Sequence, residues 1–397
     1  MDRFAFLIQT PFSERDYKRF GVDLLLKRGI KVDILDLTKA INPGYCASYQ
    51  VNGASDYKGV HKIGSAQDLD RYVQAHPGTM YIDFIGGRAK TYFVYQIFKK
   101  FRSVYAVFAA NPLPGFAGKH KKRPSAILGK LPGILKVQKY KEKAFYYLFL
   151  IADRLGLVQK PAYILAGGLS PVNCVPSKNR NTKTIYAHTL DYDIYLDQIK
   201  KGPAEKSRDY AVFLDEFFPL HPDFLVQGDE NNPYKQDAAG YFSQMRDIFG
   251  KIENELKVPV VIAAHPRAKY DGAKYGYGDR TIVEGRTCEL AAGAKYVLLH
   301  SSTSINFPVL FKKPMVFIMA PGIKGSYYES QISGMAGMFG VIPYTGEPGL
   351  GLEETMARPA GSFGVYKESY IKTEGSEEKY FWEIIADKIL GEIKENN

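Results

Sequence analysis

Short apolar runs, rich in β-branched and aromatic residues, recur along this chain with helix-length stretches between them. Phe4–Gln9 (FAFLIQ), Val32–Leu37 (VDILDL), Met80–Ile85 (MYIDFI), Val104–Ala109 (VYAVFA), Ala162–Ala166 (AYILA) and Ile185–His188 read as strands of the first half. Tyr210–Leu214 (YAVFL), Val258–Ala264, Tyr296–Leu299 and Met315–Met319 read as strands of the second. Runs with little polar alternation predict strands buried on both faces, and their alternation with helices predicts parallel sheets joined by crossovers. Ser13 is placed to cap a helix reaching about Lys27. Further helices are expected at 145–155, 241–257 and, with an amphipathic pattern, 379–393. Residues 42–76 read as irregular and polar. No GxGxxG follows the first strand, so the dinucleotide fingerprint is absent.

A chain of 397 residues exceeds one ordinary hydrophobic core and suits two domains. The charged, Gly- and Pro-containing stretch KKGPAEKSRD at 200–209 marks the boundary, giving units 1–205 and 206–397. The predicted fold class is therefore α/β, with two doubly wound halves. Hydrophobic content of 45% and charged content of 24% are ordinary for a globular protein. No apolar run is long enough to span a bilayer, and the start MDRFAFLIQT reads as a strand rather than a leader, so a cytoplasmic location is expected. Cys46, Cys174 and Cys288 are scattered, without CxxC or His spacing, which predicts neither a disulfide framework nor a metal site.

The net charge of +11 is unevenly spread. Between Lys119 and Lys143 nine Lys or Arg stand against Glu142 alone, a net +8, with Ile127-Leu128 and Ile134-Leu135 interleaved. That mixture reads either as a patch lying on an anionic membrane surface or as a solvated loop. The first reading makes the protein peripheral on the inner face of the cell membrane. Nucleic acid is disfavoured as a partner, since no nucleic-acid module accompanies the charge.

Chemistry-bearing residues cluster where strands end. His265-Pro266-Arg267 follows one strand of the second half, and His300-Ser301-Ser302-Thr303-Ser304 follows another. Ligands of open parallel sheets bind beyond the carboxyl ends of strands, and imidazole, guanidinium and hydroxyl groups at a helix start can hold a phosphate. The alternative for His265 is a hydrogen bond to a backbone carbonyl, and for Ser302 or Ser304 a helix cap. Arg286 is a further phosphate candidate, and Glu289 a candidate for the ribose or base of a nucleotide. Gly86-Gly87 after the third strand either line an acceptor site or form a plain tight turn.

The HP dipeptide, the SSTS turn and the following KKPMVFI strand together resemble the carboxyl-terminal half of bacterial glycosyltransferases of the GT-B type. Within that type they resemble the sialyltransferases and Kdo transferases that use CMP-activated sugars. The resemblance implies two Rossmann-like domains facing a central cleft. It also implies inverting transfer without a metal or other cofactor, from a nucleotide-sugar donor to a glycan or glycolipid acceptor. In such enzymes a D/E-D/E-G motif supplies the base. Asp215-Glu216 stands in that place here, with Phe217 where glycine belongs, and Asp191, in the triplet Asp191-Tyr192-Asp193, is the rival carboxylate. That triplet also matches the DxD metal motif of the other common glycosyltransferase fold, a pattern short enough to arise by chance. The expected activity is transfer of an acidic ulosonic or nonulosonic acid from a CMP donor to a bacterial surface glycan. The alternatives are a nucleotide-diphosphate donor, either a sugar or CDP-glycerol, and a non-catalytic polysaccharide-assembly protein.

Overall fold

The computed structural model describes residues 2–44, 55–114, 147–175, 177–202, 209–221, 224, 232–266 and 276–395. The basic stretch 119–143 and Arg267 lie outside them.

Seven parallel strands form the first sheet: β1 (Arg3–Ile8), β2 (Lys31–Asp36), β3 (Val60–Lys62), β4 (Met80–Asp83), β5 (Val104–Ala109), β6 (Tyr163–Ala166) and β7 (Lys183–Tyr186). Their order is β3-β2-β1-β4-β5-β6-β7. Side chains of β1 alternate between two cores, Phe4, Phe6 and Ile8 on one face and Ala5 and Leu7 on the other. Both faces are buried, which is why the sequence there is almost unbroken in its hydrophobicity.

The second sheet comprises β8 (Ala211–Leu214), β9 (Val260–Ala263), β10 (Ile282–Val283), β11 (Tyr296–Leu299), β12 (Met315–Phe317) and β13 (Met356–Ala357), ordered β10-β9-β8-β11-β12-β13. All pairings are parallel except that of β12 with β13. Both sheets therefore start at a central strand, wind outward to one side, then return and wind to the other. Two Rossmann-like lobes result, the α/β architecture of the GT-B type.

Of the stretch 42–76, the described residues 55–76 depart from the irregular reading. Val60–Lys62 adds an edge strand to β2, and Ala66–Ala75 is a helix capped by Ser65, whose hydroxyl accepts from the Asp68 N–H at 3.2 Å. Leu69, Tyr72 and Val73, spaced by three and four residues, form the buried stripe of a helix otherwise polar.

The carboxyl-terminal helix, Phe381–Glu395, leaves the second lobe and packs on the first sheet. Phe381, Trp382, Ile384, Ile385 and Ile389 are buried there beside Phe4, Phe6 and Leu25, and the Trp382 indole donates to the Arg19 carbonyl at 2.8 Å. Gly21 makes this approach possible: its φ is +57°, and a Cβ there would lie 2.7 Å from Trp382 Cδ1.

The carboxyl edge of the first sheet meets the second lobe. Leu169 N donates to the Glu368 carbonyl (3.3 Å) just past β6, and Leu113 packs on the second lobe's core.

Candidate active site

In the second sheet the direction of winding reverses between β8 and β11, the switch point at which open α/β sheets bind ligands in a crevice beyond the strands' carboxyl ends. The tails of three neighbouring strands, β9, β8 and β11, converge there. In that order they carry His265, Asp215-Glu216 and the 300–304 turn. His265 and Ser302 thus lie on one edge of the sheet, flanking β8, with two strand spacings of roughly 5 Å each between their backbones.

Glu216 sits at the reversal point. Its Oε1 accepts a hydrogen bond from Ser301 N at 2.7 Å, joining the tails of β8 and β11. Burial pushes this carboxyl up to about 7, against the opposing effect of the Ser301 N–H, and the charge on Asp215 pushes in the same direction as burial. Part of its surface remains open to solvent.

Asp215 points the other way. It is buried, and its Oδ1 accepts from Phe217 N (2.8 Å) and from the Tyr277 hydroxyl (2.7 Å), contacts that hold the chain's bend after β8. Adjacent residues leaving a strand face opposite sides, so only one of this acidic pair can face the crevice. Phe217 adopts φ +50°, ψ +43°, the left-handed conformation that favours glycine. Phe217, in the place where the motif has glycine, thus takes a conformation that glycine adopts without strain. The Phe217 ring is buried against Phe242 with centroids 6.3 Å apart.

His265, half-buried, faces His221, a residue the sequence reading passed over. Their Nε2 atoms are 3.3 Å apart and their ring centroids 4.6 Å apart. Such a contact needs one ring to donate and the other to accept, so the pair can carry one extra proton but not two in this geometry. Its sequence signal was available: His221-Pro222 repeats the HP dipeptide of His265-Pro266 shortly after another strand end. Pro266 lies in an exposed turn.

His300 is not a site group. It is fully buried, its Nδ1 2.7 Å from the Ile318 carbonyl and its Nε2 2.9 Å from the Tyr241 hydroxyl. Burial lowers it to about 4 and keeps it neutral, a packing residue beneath the turn. Ser302 caps the short 3-10 turn Thr303–Ile305, its Oγ accepting from Ser304 N at 3.2 Å, and Ser301 is buried while Thr303 is exposed.

Asp191 lies in the first turn of the helix Leu190–Lys200, which bridges the lobes, and its Oδ2 accepts from Asn306 Nδ2 at 2.9 Å. Asn306 directly follows the serine turn, so this carboxylate lies beside the end of that turn. Asp193 instead accepts from Phe381 N (2.8 Å) and stands 3.7 Å from His188 Nε2, at the point where the last helix crosses back. Burial raises Asp193 to about 8. Glu289 is engaged by Arg286 in an exposed ion pair at the start of the helix Thr287–Gly293.

In the first lobe, Gly86 and Gly87 belong to a tight turn. Asp83 Oδ1 accepts from Ile85 N and Gly86 N, Gly86 has φ +69°, and Gly87 leaves room for the Phe149 ring. Among the described residues no three His, Cys, Asp or Glu side chains come together as a metal ligand set.

No protein-family model matches the chain, and no curated protein does. Among solved structures it is similar to Staphylococcus aureus MnaA in a UDP co-structure, at 10% identity and a TM-score of 0.48, over 99% of this chain and 97% of that one. It is also similar to a variant of the wall teichoic acid polymerase TagF soaked with CDPG, at 12% identity and a TM-score of 0.49, over 100% and 89%. A third is Methanocaldococcus jannaschii UDP-GlcNAc 2-epimerase with UDP-GlcNAc and UDP, at 11% identity and 0.48, over 98% and 99%. Likeness at such identities concerns the fold, and the function proposed next rests on this chain's own residues.

Proposed function

We propose that this chain is a metal-independent transferase that moves a glycosyl or glycerophosphoryl group from a nucleotide-diphosphate donor to a hydroxyl of a glycan or glycolipid. The observation that carries it is the Glu216 contact: a carboxylate raised to about 7 rests on the Ser301 N–H at the crevice between β8 and β11. A carboxyl group poised near neutrality at a ligand crevice is suited to act as a base.

In the reaction, the acceptor oxygen attacks the donor's activated carbon or phosphorus while Glu216 takes the hydroxyl proton. The bond to the bridging phosphate oxygen breaks, and the nucleotide leaves with the bonding pair. His265, supported by His221, and the hydroxyls of Ser302, Thr303 and Ser304 receive the added negative charge. These two groups flank the central strand rather than share one point, a spacing that suits an anion longer than a single phosphate. That favours a diphosphate-linked donor over the CMP-linked one implied by the motif resemblance. Asp191, beside Asn306, is placed to orient the acceptor rather than to take its proton.

Thermal shift with CMP, CDP, UDP and GDP tests the donor class. A nucleoside diphosphate at about 100 times its dissociation constant should stabilise the protein by about 2.7 kcal/mol, and His265→Ala should abolish that shift. Equal stabilisation by CMP and CDP would return the CMP reading, and a shift untouched by His265→Ala would remove the imidazole from the site.

A further inference from the structure

The helix at 147–154 is anchored in the first lobe by one face only. Phe149 is buried against Tyr92 and Tyr95, and Val158, beyond the helix, joins the same core. The opposite face presents Leu148 (56% exposed), Ile151 (51%) and Leu155 (69%), with Tyr147 and Leu157 also exposed. Spaced by three and four residues, these side chains form one continuous apolar stripe rather than scattered surface leucines.

Charge decides what such a stripe fits. Between 147 and 160 the only acid is Asp153, which is buried and paired with Lys160 at 2.7 Å. The exposed charge along the stripe is Arg154, and Lys99 and Arg102 lie exposed at the end of the neighbouring helix Tyr92–Lys100. Lys99 Nζ reaches within 4.0 Å of where a Cβ on Gly156 would stand, so this cation borders the stripe. The sequence leading into this helix adds a net +8 between 119 and 143. Apolar side chains bordered by Arg154 and Lys99 match a lipid surface with anionic headgroups, where the apolar groups enter the interface and the cations meet the phosphates. Among the described residues no helix is long and apolar enough to cross a membrane, so attachment through this face would be peripheral and reversible.

We propose that the exposed face of residues 147–157 docks the protein on an anionic membrane. This inference is independent of the donor chemistry, because its readout needs no turnover. The full chain should co-sediment with vesicles of phosphatidylcholine and phosphatidylglycerol, far less with phosphatidylcholine alone, and less as salt is raised. Leu148→Ser, Ile151→Ser and Leu155→Ser together should lower the partition coefficient about tenfold or more while nucleotide stabilisation stays as in the wild type. Leu155→Ser alone, at the most exposed of these positions, should give a smaller loss in the same direction and serves if the triple variant folds poorly. Wild-type binding by these variants would overturn the proposal, as would no binding to anionic vesicles. A concentration-dependent dimer in sedimentation velocity that the variants abolish would also overturn it, assigning the face to a second copy.

Discussion

Glu216 and Phe217 show how much a single position can decide. If Glu216 is the base, Glu216→Gln should cost about a hundredfold or more in transfer rate while leaving the nucleoside diphosphate shift in place, since the amide can still accept from Ser301 N. In the wild type the rate should rise with pH through about 7, as the carboxyl loses its proton. Parallel pH–rate profiles in wild type and Asp191→Asn, with loss confined to Glu216→Gln, would fit; the reverse would transfer the role to Asp191. Phe217 makes a different point. Its left-handed backbone costs about 1–2 kcal/mol, yet the buried ring gains more than that. Phe217→Gly should therefore destabilise less than Phe217→Ala, by about 1 kcal/mol in urea unfolding, because glycine sheds the strain while both lose the ring. The acidic pair was legible from sequence as a strand-end motif. Which of the two faces the crevice was not, because alternation around a bend depends on the bend itself.

At the scale of elements, the last helix joins the lobes, and its seat is narrow. Gly21→Ala should destabilise by about 2 kcal/mol or more, through strain at φ +57° and collision with Trp382, and Trp382→Ala by about 3–5 kcal/mol. The double variant should fall short of their sum, since the indole removed by one is the obstacle met by the other. Where this helix begins, Asp193 is raised to about 8 from an ordinary 3.8. The folded chain then holds a proton that the unfolded chain releases, so this group's contribution to stability is present below about pH 4 and is lost as pH rises toward 8. Asp193→Asn should flatten that decline and raise Tm relative to wild type at pH 8, with little change at pH 4; an unchanged slope in Tm against pH would contradict it. Strands such as β8 and β11 were readable because both faces are buried and the sequence is apolar throughout. The edge strand β3 was not, being three residues long with no fully buried face, whereas the helix Ala66–Ala75 did carry a local signal, the capping Ser65 and the spacing of Leu69, Tyr72 and Val73.

For the molecule as a whole, two sheets with a common winding place the carboxyl edge of the first against the second lobe, and the chain crosses between them at 187–211 and again after 367. A donor held at the second lobe's crevice would bring its reactive end toward that junction, where Asp191 meets Asn306. The amino-acid order by itself determined the α/β class, the division into two halves and the clustering of His, Ser and acidic residues at strand ends, because hydrophobic runs and strand-end polarity are local properties. It did not determine the order of strands across a sheet. Only the tertiary structure placed β8 between β9 and β11, brought His221 to His265 and Glu216 to Ser301, and buried His300 as a neutral packing residue. Those neighbours are distant along the chain, and their pairing follows from how whole elements pack, which no short stretch encodes.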